Sequence, residues 1–275
     1  MRASNPKAAV AGGCLTVCGV GIDRPQDVTL GTIQALKDSE ILFYMHGDGE
    51  RLLPFLRTFC VDVRLFHGAK FESLGNEEKI KSVARDICVE LKKGKKVTYV
   101  TYGHPAVFSD GLHVLNYCRK NGYECRVLPG VSAVDHILVE ASDLMGVLSN
   151  GFLVCNADET VNNPKVLAPE MPVILFGVDT IVSRGRFGEF CGRIEASYPA
   201  EQPIYAIKCR DSYGEPVRLV GRVLDLRGWE SRIIHMMSII LPGVPRWERR
   251  GPRRRAVSRR PRRSTAPPAR SRAGV

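Results

Sequence analysis

Over the first 130 residues, short apolar runs alternate with longer stretches whose apolar positions recur every three or four residues. The runs 14–20 (CLTVCGV), 40–45, 61–66, 96–101 (KVTYVT) and 124–128 read as strands. Between them, 29–39 has helical spacing, with Leu30, Ile33 and Leu36 expected on one face and Thr29 as cap. Residues 76–93 carry a stronger amphipathic pattern, with Ile80, Val83, Ile87 and Leu91 as its stripe and Gly94 as its stop. A further helix is predicted over 110–121, closed by Gly122. Strands alternating with helices predict an α/β domain with a mostly parallel sheet.

Beyond Ser132 the texture changes. Residues 132–141 and 187–198 read as helices, and 152–155, 171–177, 204–209 and 234–241 as strands. The fold class predicted is therefore α/β, built as two α/β domains. An N-terminal domain over 13–129 follows a loose arm, 1–12, and a smaller domain occupies 130–245.

Charge sets the end of the chain apart. Residues 246–275 hold twelve of the 40 basic residues and one acid, Glu248, so 1–245 balance at 28 of each sign. A neutral body argues against a nucleic-acid-binding surface there. The segment is too polar to offset its ordering entropy, and it is expected to be disordered. Contact of this tail with nucleic acid or acidic surfaces stays open, as does an extension without function. No apolar run approaches the ~18 residues of a membrane span, and the first residues lack a signal-peptide core. Nine cysteines stand singly, with no C-x-x-C pair. Buried reduced thiols in a cytoplasmic protein are expected, with no metal site.

Three strand ends carry candidate chemistry. Gly19-Val20-Gly21 is a short glycine turn, read either as a tight turn or as backbone surface for a nucleoside. Arg24 and Pro25 follow it, so it is no dinucleotide loop running straight into a helix. The segment 102–108 (YGHPAVF) combines Gly103, which lets backbone approach a ligand, with Pro105, which fixes the turn. His104 and the Tyr102 hydroxyl are its polar tips, and each is either a ligand contact or a structural group. In 128–133 (LPGVSA) small residues precede a helix, where Ser132 either caps or binds ligand and free N–H groups suit a carboxylate. A P-loop, an H-E-x-x-H metal motif and a G-x-S-x-G elbow are all missing.

Together CLTVCGVGI, TLGTIQALKDSEILFYM, VTYVTYGHPAVF and CRVLPGVSA resemble the tetrapyrrole-methylase superfamily of S-adenosylmethionine-dependent methyltransferases. The YGHPAVF form is most similar to the borosin-type peptide backbone N-methyltransferases. The resemblance spans roughly residues 14–243, more loosely in the second half. It implies two α/β domains, S-adenosylmethionine in the cleft between them, and a homodimer. Cofactor contacts are then expected from Tyr102, Gly103, His104, Val107 and Phe108, and from Gly19 and Gly21. Further contacts are expected from Ser132, Ala133, Phe176, Gly177, Lys208, Cys209, Leu241 and Pro242.

The sequence departs from this family at the acceptor. The Tyr, Arg and Tyr of borosin-type enzymes fall, without gaps, on His67, Glu77 and Ile80. Tyr102 and His67 remain as candidate catalytic groups, and Lys70, Lys79 and Lys81 stand nearby. The fused substrate of such enzymes is rich in Val, Ile and Gly, whereas 246–275 is rich in arginine and proline. Methylation of a separate precursor peptide is therefore expected. The alternatives are a methylase of a tetrapyrrole or other small molecule, and a catalytically silent cofactor-binding partner subunit.

Overall fold

The computed structural model describes residues 12–45, 49–66, 73–145, 151–211 and 214–243. All of them fall in one compact unit, 1–244. The expectations for the arm 1–12, apart from Gly12, for the tail 246–275 and for His67 lie outside these residues.

In chain order the elements are β1 (Cys14–Gly19), α1 (Leu30–Asp38), β2 (Ile41–Tyr44), α2 (Gly49–Arg57) and β3 (Val63–Leu65). They continue with α3 (Asn76–Lys92), β4 (Val97–Thr101), α4 (Gly111–Lys120), β5 (Glu124–Val127), α5 (Ala133–Glu140) and α6 (Ser142–Met145). The second half has β6 (Leu153–Asn156), α7 (Ala157–Asn162), β7 (Val173–Phe176), α8 (Val178–Ser183) and α9 (Phe187–Ser197). It closes with β8 (Pro203–Lys208), β9 (Val217–Arg222), a 3-10 segment (Val223–Arg232) and β10 (Ser238–Leu241).

The first sheet runs β3-β2-β4-β1-β5 with every neighbour parallel. Its three inner strands, β2, β4 and β1, are almost wholly buried because both faces are covered. Leu15, Val17, Phe43 and Tyr99 pack against α3 and α4 through Val83, Ile87, Leu91 and Val114. Cys18, Leu42, Tyr44 and Val100 pack on the other face against Leu36, Leu52 and Leu56. Helix α2, which supplies Leu52 and Leu56, has Pro54 inside it and was not anticipated.

Helix α1 begins at its Thr29 cap, as expected, but it is rotated. Thr32, Ala35 and Leu36 face inward, and Leu30 is 85% exposed. The Thr32 hydroxyl donates to the Gly19 carbonyl at 3.2 Å, which fixes this face against the end of β1.

The second sheet, β6-β7-β10-β8-β9, is mixed. β6 and β7 are parallel, and β10 runs antiparallel to both β7 and β8. One face buries Phe187, Phe190 and Ile194 of α9 with Trp229, at the i, i+3, i+7 spacing of a helix stripe. The other face sets Ile174, Ile207 and Ile240 against Ile137 of α5 and Ile22 and Tyr102 beyond the first sheet. β10 starts at Ser238 rather than near 234, because the 3-10 segment and a left-handed Met236 (φ 64°) occupy the approach. No helix among the described residues is long and apolar enough to cross a membrane.

Candidate functional site

Parallel strands end at one sheet edge, and the ends of β1, β4 and β5 meet there backbone to backbone. Gly103 N–H donates to the Gly21 carbonyl at 3.1 Å, and Gly21 (φ 71°) and Gly103 (φ 66°) both adopt the left-handed region. A Cβ on Gly19 would stand 1.9 Å from the Gly103 carbonyl oxygen, and one on Gly21 would stand 2.0 Å from Asp27 Cβ. Those glycines are consumed by packing. Packing thus accounts for both glycines, and neither is among the residues that line the three cavities described below. The Asp27 carboxylate ties the turn down by accepting from Ile22 N–H, Asp23 N–H and His136 Nε2.

The loop so anchored presents its tip to a cavity of about 690 Å³ lined by His104, Val107, Phe108 and Ser132. His104 Nδ1 accepts from Ala106 N–H at 3.0 Å. In the neutral ring Nε2 then carries the proton and is the donor available to a ligand. Ser132 caps α5 in a full capping box: its hydroxyl accepts from Val134 N–H, and Asp135 accepts from Ser132 N–H. Two N–H groups expected to be open to a carboxylate are thereby taken.

A second cavity, of about 710 Å³, shares the Phe108 wall. Phe108 holds φ 48°, is half exposed, and stacks on Phe176 with ring centroids 4.8 Å apart. A non-glycine residue there costs on the order of 1 kcal/mol and persists only where its surroundings enforce it. Ala133, Phe176 and Gly177 complete this wall. From the first sheet come Asn76, Lys79 and Ile80 in the first turns of α3, with Asp110 and His113 at the start of α4. The wholly buried Tyr99 donates its hydroxyl to Asp110 at 2.6 Å. Burial, reinforced by that carboxylate, holds the Tyr99 phenol well above its ordinary pKa.

Tyr102, Lys208 and Cys209 come together around a smaller pocket that also touches Ala133. The Tyr102 ring lies beneath the Arg24 guanidinium, 5.6 Å from centroid to Cζ. Lys208 Nζ pairs with the buried Asp211 at 2.8 Å. Burial pushes the Cys209 thiol up to about 12.

Leu241 and Pro242 stand elsewhere, and here the expectation is corrected. β10 runs antiparallel to β7, with Leu241 opposite Val173 at the start of that strand. The cavity-side end of β10 is therefore its beginning, and Met237 and Ser238 line the cavity. Leu241 is wholly buried in the core, and the Pro242 carbonyl accepts from Gln202 Nε2. Of the acceptor positions, Ile80 faces the cavity, while Glu77 turns away and pairs with Lys81 at 2.8 Å. Asp179, His235 and Met236 also line it and were not anticipated.

Residues 15–142 match the family model of the Tetrapyrrole (Corrin/Porphyrin) Methylases, and the fold is that of such enzymes. The uroporphyrin-III-C-methyltransferase from Thermus thermophilus superposes with a TM-score of 0.61 at 18% identity, over 84% of this chain and 92% of that one. The methyltransferase CobJ gives 0.62 at 15% identity, over 84% and 95%. Among curated sequences, the methyltransferase/ribosomally synthesized cyclic peptide omphalotin A precursor of Omphalotus olearius is 28% identical over 229 residues, 78% of this chain and 54% of its own length. A type III borosin cyclic peptide precursor of Anomoporia bombycina is 26% identical over 234 residues, 84% of this chain and 24% of its own length. The chain thus spans about half the length, or less, of the curated relatives it matches. The resemblance carried by YGHPAVF and LPGVSA meets relatives of both kinds, tetrapyrrole methylases in fold and borosin precursors in sequence.

Proposed function

We propose that this chain is an S-adenosylmethionine-dependent methyltransferase that N-methylates the backbone of a separate precursor peptide. One observation carries the reading: two cavities adjoin at Phe108, one faced by the His104 loop and the Ser132 cap, the other by Phe176 and the first turns of α3. Donor and acceptor need such adjoining spaces. The residues fit the donor. His104 Nε2 offers a hydrogen bond, Asp135 a carboxylate for an ammonium group, and Phe108 and Phe176 an aromatic face. When bound, S-adenosylmethionine supplies an activated methyl group, so the protein's main task is orientation.

The acceptor assignment is supported by the sequence relatives, whose names join a methyltransferase to a ribosomally synthesized peptide. Residues 246–275 suit that role poorly, since proline nitrogen in a chain has no proton to replace. Ile80 on the cavity and Glu77 turned from it favour a second reading, a partner subunit that binds cofactor without turnover. Calorimetry with S-adenosylmethionine and S-adenosylhomocysteine decides the first layer, and no binding of either refutes both readings. Mass spectrometry of candidate precursor peptides then separates them: steps of +14 Da support the enzyme, and binding without such steps supports the silent subunit.

A further inference from the structure

Backbone N-methylation requires the amide to lose its proton, because the neutral nitrogen is barely nucleophilic. Helix α3 offers the cavity an amide (Asn76), an amine (Lys79) and an alkyl chain (Ile80). Asp110, from the start of α4, is already engaged by the Tyr99 hydroxyl at 2.6 Å.

The opposite wall is built differently. Asp179, in the first turn of α8, accepts through Oδ2 from Met236 N–H at 3.0 Å and bonds His235 Nδ1 at 2.8 Å. The backbone bond fixes the carboxylate, and Met236 holds the left-handed φ of 64° beside it. A carboxylate facing Nδ1 accepts a hydrogen bond from it, so in the neutral ring the lone pair lies on Nε2. The His235 side chain is 81% exposed and lines the cavity, so that lone pair is open to an acceptor. The other titratable groups facing this space are Lys79 from α3 and Asp110 and His113 from α4.

We propose that His235 is the base for the acceptor nitrogen and that Asp179 is its positioning residue. The assignment rests on the peptide-methylation reading above. In the step, Nε2 takes the amide proton and the N–H electron pair stays on nitrogen, which bonds the methyl carbon. The carbon–sulfur bond breaks with its electrons kept on sulfur, and the imidazolium returns its proton to water at the cavity mouth.

Two measurements test this. Nitrogen-15 NMR of the histidine-labelled full chain reads the tautomer without any substrate. His235 is expected as the Nδ1–H form, with Asp179→Asn moving it towards Nε2–H; Nε2–H in the wild type overturns the proposal. The second measures S-adenosylhomocysteine release from a pool of unmethylated hexapeptides of Val, Ile and Gly. His235→Gln is expected to lose about 100-fold or more in turnover. It should keep its S-adenosylmethionine affinity and thermal stability. Turnover of the variant within threefold of wild type refutes the role alone. Wild type that binds S-adenosylmethionine without turnover also overturns it, and wild type that binds none refutes the methyltransferase reading beneath it.

Discussion

Gly19→Ala separates packing from ligand contact at the sheet edge. The new Cβ would lie 1.9 Å from the Gly103 carbonyl oxygen and 3.0 Å from Pro105 Cδ. Contacts between such atoms do not fall below 3.0 Å, so β1 and the 103–105 backbone must part by more than 1 Å. The displaced carbonyl is not free to retreat, because it also faces Gly130, where a Cβ would stand 3.2 Å from it. With backbone on both sides, the cost belongs at the upper end of overpacking, ~3 kcal/mol. For a domain of this size that lowers the melting temperature by roughly 6–12 °C. Gly188→Ala is the matched control: nothing lies within 4 Å of its Cβ, and it sits in α9. It should stabilise by about 0.5 kcal/mol through helix propensity. Circular dichroism melts and urea titrations of both variants give the comparison. A Gly19→Ala chain that melts with the wild type but binds S-adenosylmethionine more weakly would refute the packing argument and restore Gly19 to the ligand surface.

Phe108→Ala removes a half-exposed ring stacked on Phe176, so stability should change by less than about 1 kcal/mol. S-adenosylmethionine affinity should fall about tenfold by calorimetry if Phe108 walls the donor, and an unchanged affinity would move the donor off this wall. Glu90 is buried between Lys93 and Arg64, each at 2.9 Å, and their hydrogen bonds hold its carboxyl below the usual range. A carboxyl lowered in the folded state contributes stability above its unfolded pKa and loses it as pH falls through the folded one. Glu90→Gln should therefore be less stable than wild type at neutral pH, with the gap closing in acid. Urea midpoints that stay a constant distance apart from pH 7 to pH 3 would contradict this.

Much of the first sheet was legible because parallel strands buried on both faces write themselves as continuous apolar runs, as in ILFY and VTYVT. Helix α2 was not, because Pro54 and the charged start 49–51 break its pattern. β9 was not, because an edge strand with Val220 exposed has little apolar signal to show. The rotation of α1 depends on a hydroxyl-to-carbonyl bond from Thr32 to Gly19, which spacing alone does not encode. Within the candidate site, His104, Val107, Phe108 and Ser132 are joined by local motifs. Leu241 and Pro242 were misjudged because a strand's direction is set by its neighbours. Asp179 and His235 stand 56 residues apart and meet only through the second sheet.

The direction of β10 decides which of its residues can influence the site. The chain passes the cavity at 236–238 and then travels roughly 10 Å along the strand, so that Pro242 reaches the opposite rim beside Gln202. The two ends of β10 thus meet different surroundings: Ser238 lines the cavity, whereas Leu241 is wholly buried in the core. A change of side chain at the first end alters the wall of the site, and one at the second is felt only as packing.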